Sequence, residues 1–145
     1  MESSIVNAVG VLFYSSNTQR YLYLLRNDPK HPGVWGLPGG KANNNETLIK
    51  TIQRECNEEM GFMPDYSRLA PLEKFTSSDR KFVYHTFFCS VENEFTPILN
   101  QEHIGWAWIN SGNWPKPMHP GLWSTVNFEA VQEKITAMER IYTSA

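Results

Sequence analysis

The stretch GGKANNNETLIKTIQRECNEEMGF, running from Gly39 to Phe62, joins a glycine turn to a charged helix. From Glu46 to Met60 the apolar residues Ile49, Ile52, Cys56 and Met60 recur at intervals of three and four. That is the stripe of an amphipathic helix, and Gly61 is where it should stop. Its polar side carries Arg54 and then three carboxylates, Glu55, Glu58 and Glu59, spaced i, i+3 and i+4. At about 100° per residue, Glu58 falls roughly 60° to one side of Glu55 and Glu59 roughly 40° to the other, so all three share a face. Like charges at this spacing repel, and a bare fold gains nothing from them. A divalent cation would relieve the repulsion, since hard cations take carboxylates, waters and substrate phosphates as ligands. The competing reading is an ordinary solvated face, the commonest fate of a Glu-rich helix. Gly39-Gly40-Lys41 argues against it, because glycines let the backbone approach a ligand closely and the lysine sets a cation beside the acids.

Gly40, five residues, Glu46, seven residues, Arg54-Glu55-Cys56, Asn57, Glu58-Glu59, Met60 and Gly61-Phe62 resemble the signature of the Nudix hydrolases at every specified position. Chance occurrence at average composition is on the order of 10⁻⁷, low enough to override the solvated-face reading. The resemblance covers most of residues 5 to 110: a strand pair before the box, the lead-in Trp35-Gly36-Leu37-Pro38-Gly39 and a later tryptophan-bearing strand also match the family, and the terminal helix fits its second main helix. The resemblance implies a Nudix-like α/β/α sandwich with a mixed β-sheet. It implies a Mg²⁺ site, with Mn²⁺ as substitute, formed by Glu55, Glu58 and Glu59 with help from the Gly39 carbonyl. Arg54 would orient the carboxylates, and Glu46, at the helix start where the macrodipole favours it, would steady the loop–helix arrangement.

Such a site suits hydrolysis of a diphosphate linkage, with metal ions neutralising the oxygens and a carboxylate taking the proton of the attacking water. The expected substrate is a nucleoside diphosphate linked to another moiety, for example ADP-ribose, a dinucleoside polyphosphate or a nucleotide sugar, and a nucleoside monophosphate is released. A house-cleaning nucleoside triphosphate pyrophosphohydrolase is the alternative, and a non-catalytic nucleotide-binding regulatory module a third. The box does not choose among substrates. Glu58 or Glu55 is the expected base on the helix, and Glu102, just before His103-Ile104-Gly105-Trp106, the rival base from a loop; a solvated loop carboxylate is the plainer reading of Glu102. Arg26, at a strand end, and Lys41 are candidates for the substrate phosphates. Trp35 is the candidate platform for a base, with Tyr21 or Phe87 as equals. The four histidines show no triad or zinc spacing and read as structural or solvated.

The rest of the chain supports one domain over residues 1–145. Its 145 residues, 41 % hydrophobic and 13 % aromatic, suit a packed core. A net charge of −2 excludes the electrostatic footprint of a dedicated duplex nucleic-acid binder. Met1 to Asn7 carry neither a basic region nor a long apolar run, and no stretch is a membrane span, so the protein reads as soluble and cytoplasmic. A homodimer is left open. Cys56 and Cys89 lie in apolar contexts and read as buried thiols. Strands are expected over Ile5–Tyr14 and Tyr21–Leu25, over Leu69–Thr76 and Phe82–Val91 as a hairpin about Ser77-Ser78-Asp79, and over Trp106–Ile109. A Pro/Gly-punctuated loop spans His31 to Gly40 and another Asn113 to Gly121. A terminal helix over Ser124–Tyr142 would bury Phe128, Val131, Ile135, Met138 and Tyr142.

Overall fold

Strand β1 (Val6–Ser15) carries the architecture, because its side chains alternate between two apolar layers. A computed structural model describes residues 5–30 and 32–143; the readings of Met1 to Ser4 and of His31 lie outside them. Val9, Val11 and Phe13 pack on one side with Ile52, Cys56 and Met60 of helix α1 (Leu48–Met60). Leu12 and Tyr14 pack on the other with Leu122 and Val126 of α2 (Pro120–Val126) and Val131 and Ile135 of α3 (Glu129–Thr143). This is the expected α/β/α sandwich.

One edge of β1 runs parallel to β6 (Phe82–Val91), from the pair Val6 and Phe82 to the pair Ser15 and Val91, and β5 (Leu69–Thr76) adds antiparallel beyond it. The other edge forks. Tyr14 and Ser15 pair with β2 (Arg20–Arg26), whereas Ala8 to Gly10 pair with β4 (Gly39–Lys41). Beyond the fork β2 pairs with the short β3 (Trp35–Gly36) and, along its whole length, with β7 (His103–Asn110). The sheet is therefore mixed, as expected. The punctuated segment before α1, which reads as a loop, holds two short strands, because the glycine backbone at 39–41 completes the free edge of β1. Pairing with β2 likewise extends β7 back from Trp106 to His103. Cys56 and Cys89 are fully buried free thiols. No helix among the described residues is long and apolar enough to cross a membrane.

Both expected helices differ from expectation in their bounds. Helix α1 begins at Leu48 rather than Glu46, since the Thr47 side chain accepts a hydrogen bond from Lys50 N at 3.2 Å and so caps it. Ile49 is exposed, and the buried face is Thr51, Ile52, Cys56, Glu59 and Met60. The terminal helix is two helices. Asn127 closes α2, and the Phe128 carbonyl accepts from Val131 N and Gln132 N, so Phe128 precedes the first turn of α3 and is exposed.

Gly61 ends α1 in the left-handed region (φ 85°), its N–H donating to Asn57 O at 3.1 Å, and a Cβ there would stand 3.1 Å from that of Ile98. Gly61→Ala is expected to cost about 1 kcal/mol and lower the melting temperature by about 3 °C, read by urea titration and calorimetry. An unchanged midpoint would contradict this account of the cap.

Candidate active site

The three helix acids begin on one face but have different surroundings. Glu59 is buried together with Ile52, Cys56 and Met60 on the side of α1 that packs against the sheet, where it is 4 % exposed. It accepts a hydrogen bond from Gly39 N at 2.8 Å. Burial pushes its carboxyl up to about 9, against which the Gly39 N–H works only in part. Burial also raises Glu55, opposed by the neighbouring Arg54 guanidinium. Glu58 points outward, its side chain 53 % exposed against 12 % for Glu55.

Gly40 explains how Glu55 reaches the sheet edge. A Cβ on Gly40 would lie 2.5 Å from the Glu55 carboxyl carbon, so the carboxylate occupies the space a side chain there would take and would have to shift to admit one. Arg54 ties these pieces together. Its Nε and Nη2 hold Glu46 at 2.9 and 3.0 Å, Nη1 donates to Glu55 at 2.8 Å and to Glu58 at 3.4 Å, and Nη2 also reaches the Lys41 carbonyl at 2.8 Å. Glu46 lies before the helix rather than in its first turn, so a side-chain network takes the place of the macrodipole expected there. It accepts from Arg54, Asn43 N and Thr51 Oγ1, and the guanidinium above all lowers its carboxyl to about 2.

The other candidates fall into three groups. Glu102 is exposed in the turn just before β7, where its charge raises both Glu55 and Glu59. Arg26 ends β2 paired with Asp28, close enough to lower Glu59. Lys41 engages Arg54 through its backbone, while the residue itself is exposed. Trp35 is half-buried, packed against the Leu12 and Tyr14 layer, with its backbone bonded to Pro117 and His119. Tyr21 and Phe87 are buried in the two layers, so neither can offer a ring face to a ligand; the Tyr21 hydroxyl donates to Glu139.

Two residues near the acids have no signal in a linear reading. His103 is buried, and its ring nitrogen lies with carboxylate oxygens of Glu59 and Glu102 within 4.8 Å of one another. Tyr84, on β6, stands over Gly10, where a Cβ would lie 2.0 Å from its hydroxyl, and burial raises that hydroxyl to about 12, with Glu59 adding to the rise and Arg26 opposing it. Only the adjacency of His103 to Glu102 could have drawn attention to it.

Among the described residues the ligand atoms that converge are those of Glu59, Glu102 and His103, within 4.8 Å of one another, a donor set that a divalent cation fits; Glu55 and Glu58, expected beside Glu59, are instead held by Arg54, and Glu59 is a buried carboxylate whose hydrogen-bond donor is a neutral amide. Compensation by a cation is what such a carboxylate lacks.

Residues 5–126 match the family model described as the NUDIX domain. The chain is 30 % identical over 119 residues to dihydroneopterin triphosphate diphosphatase of Haemophilus influenzae, covering 72 % of this chain and 73 % of that protein. In fold it is similar to the Nudix hydrolase RenU from M. smegmatis, at a TM-score of 0.67 and 18 % identity over 93 % of this chain and 86 % of that one. It is also similar to the MutT NUDIX hydrolase from Burkholderia pseudomallei, at a TM-score of 0.65 and 21 % identity over 87 % of this chain and 96 % of that one. With the box intact and the family model spanning β1 to α2, this chain belongs to the Nudix family and is a diphosphate hydrolase.

Proposed function

We propose that the chain, acting over residues 1–145 as one catalytic unit, hydrolyses a diphosphate linkage in a nucleotide at the Glu55, Glu58 and Glu59 edge, with Mg²⁺ as its cofactor and Mn²⁺ as a substitute. The observation that carries this reading is the buried Glu59 carboxylate set beside Glu55 and Glu102 with only a backbone amide donating to it. Glu55, Glu58, Glu59 and the Gly39 carbonyl would hold the cation, which supplies charge neutralisation on the diphosphate oxygens and acidifies the attacking water. Arg54 positions Glu55 and Glu58 through its Nη1. Glu58 receives the proton, because it is the most exposed of the three helix acids and can pass that proton to solvent. Glu55, pinned between Gly40 and Arg54, is better suited to holding than to moving. The Arg26 fork and Lys41 meet the substrate phosphates, and Trp35 borders the heterocycle.

For the substrate, the relative of 30 % identity favours a triphosphate carried on a fused, purine-like heterocycle, since its name is that of a triphosphate diphosphatase. A nucleoside diphosphate joined to a second moiety is the competing class. A screen of both classes, scored by product, separates them: a triphosphate releases inorganic diphosphate, whereas the competitor releases a monophosphate and a phosphorylated fragment.

Exhaustive chelation should abolish turnover and Mg²⁺ restore it; full turnover without metal would end this reading. Glu58→Gln and Glu59→Gln should each lower kcat by at least ~10³-fold, because the amide removes charge without opening a cavity. Wild-type turnover in either variant would refute the assignment of that residue.

Glu59 also makes stability depend on pH. Its folded pKa of about 9 lies above the ordinary 4.5, so between those values the folded chain holds a proton that the unfolded chain releases, and stability falls as pH rises through that window. Glu59→Gln lacks this proton. In chelator it should melt near the wild type at pH 5 and at least ~3 °C above it at pH 8.5, read by calorimetry. A difference independent of pH would contradict the burial argument.

A further inference from the structure

Cross-strand register sets Lys41, Ala8, Tyr84 and Phe75 in one row across β4, β1, β6 and β5. Paired residues share a face of a sheet, and alternation along β1 puts Ala8 with Leu12 and Tyr14, on the side away from α1. Helices α2 and α3 pack on that side over Leu12, Tyr14 and Phe88, but neither core layer takes in Phe75, Phe82 or Tyr84. Phe75 is 53 % exposed and Lys41 is exposed, while the rings of Phe82 and Tyr84 lie within 23° of parallel, their centroids 6.4 Å apart. The row is an uncovered aromatic ledge with a cation at its end.

Tyr84 gives the ledge a polar point. Its hydroxyl occupies the space a Gly10 side chain would fill and has no hydrogen-bond partner among the described residues. A phenol can both donate and accept, so this one is free to pair with a ligand. The ledge is continuous with the acid edge: Lys41 belongs to the same short strand as Gly40, whose other face meets Glu55, and the charges of Glu59 and Arg26 both reach Tyr84. A ligand whose phosphates lie at the acids therefore has its remaining part beside this row. Exposed aromatic rings and a phenol next to a polyanion site suit a planar ring system with a polar edge. We propose that Tyr84, Phe82 and Phe75 seat the fused bicyclic heterocycle of the substrate, a purine or a pterin, with the Tyr84 hydroxyl hydrogen-bonded to a polar atom of its edge. The inference rests on the diphosphate-hydrolase reading above, because the row is assigned through its continuity with that edge. Lys41 then stands between ring and phosphates.

Guanosine and neopterin, which carry the ring without phosphate, probe the ledge on the full chain in the absence of metal. Calorimetric titration should show binding of at least one of them, and saturation-transfer NMR should show magnetisation passing from aromatic protein protons to its bicyclic ring. Which of the two binds distinguishes a purine from a pterin. Tyr84→Phe, which keeps the ring, should raise the dissociation constant at least ~3-fold, and Phe75→Ala, at an exposed position, at least ~5-fold. Binding of neither probe overturns the proposal with no variant required, and so does an unchanged dissociation constant in either variant. Mg²⁺-dependent hydrolysis by a chain that binds neither probe refutes the ledge alone. A chain that binds a probe but hydrolyses no diphosphate linkage refutes the reading on which the assignment rests.

Discussion

The site depends on the approach of a glycine backbone to two helix carboxylates. Gly39 N–H meets Glu59 at 2.8 Å, and the missing side chain of Gly40 leaves room for Glu55. Neither contact exists unless β4 is added to the free edge of β1, and that edge is free there because β2 pairs with β1 only at Tyr14 and Ser15. The fork in the sheet thus makes the opening into which α1 presents its acids. Because β1 also buries both of its faces, the strand that holds the core together is the one that positions the chemistry.

Charge in this region is arranged in two zones. On the outer side Arg54 gathers Glu46, Glu55 and Glu58 into a network that is satisfied within the protein, and the low pKa of Glu46 reflects how well it is paired. On the inner side Glu59, Glu102 and His103 converge with far less compensation, and burial raises Glu59 accordingly. A paired outer network costs the fold little; an underpaired inner cluster costs stability unless something cationic joins it. Rigid pairing outside and unmet demand inside suit a site that must bind a cation and a polyanion together.

The relation between chain order and site geometry is uneven. Helix α1 repeats at a fixed angle, so the clustering of Glu55, Glu58 and Glu59 is legible from spacing alone. Which of the three is buried is not, because that depends on the tilt of α1 against the sheet. The aromatic residues illustrate the same limit: Tyr21 and Phe87 look as suitable as Trp35 in a list of residues, yet strand alternation and the layer on each side send both into the core. The terminal helix reads as continuous by periodicity, while Asn127 and Phe128 divide it through backbone bonds that apolar spacing does not encode.

By itself the sequence determined the family, the mixed α/β architecture, the helix that bears the acids and the glycines beside it, since each rests on residues close together in the chain and on local periodicity. Tertiary structure alone decided that Glu59 is buried, that Glu46 serves Arg54 rather than the helix dipole, and that His103 and Glu102 come to Glu59 from the far end of another strand. Those outcomes depend on the register of β7 against β2 and on the fork at β1. Register is set by pairing between segments distant in sequence, whose consequences no single segment carries.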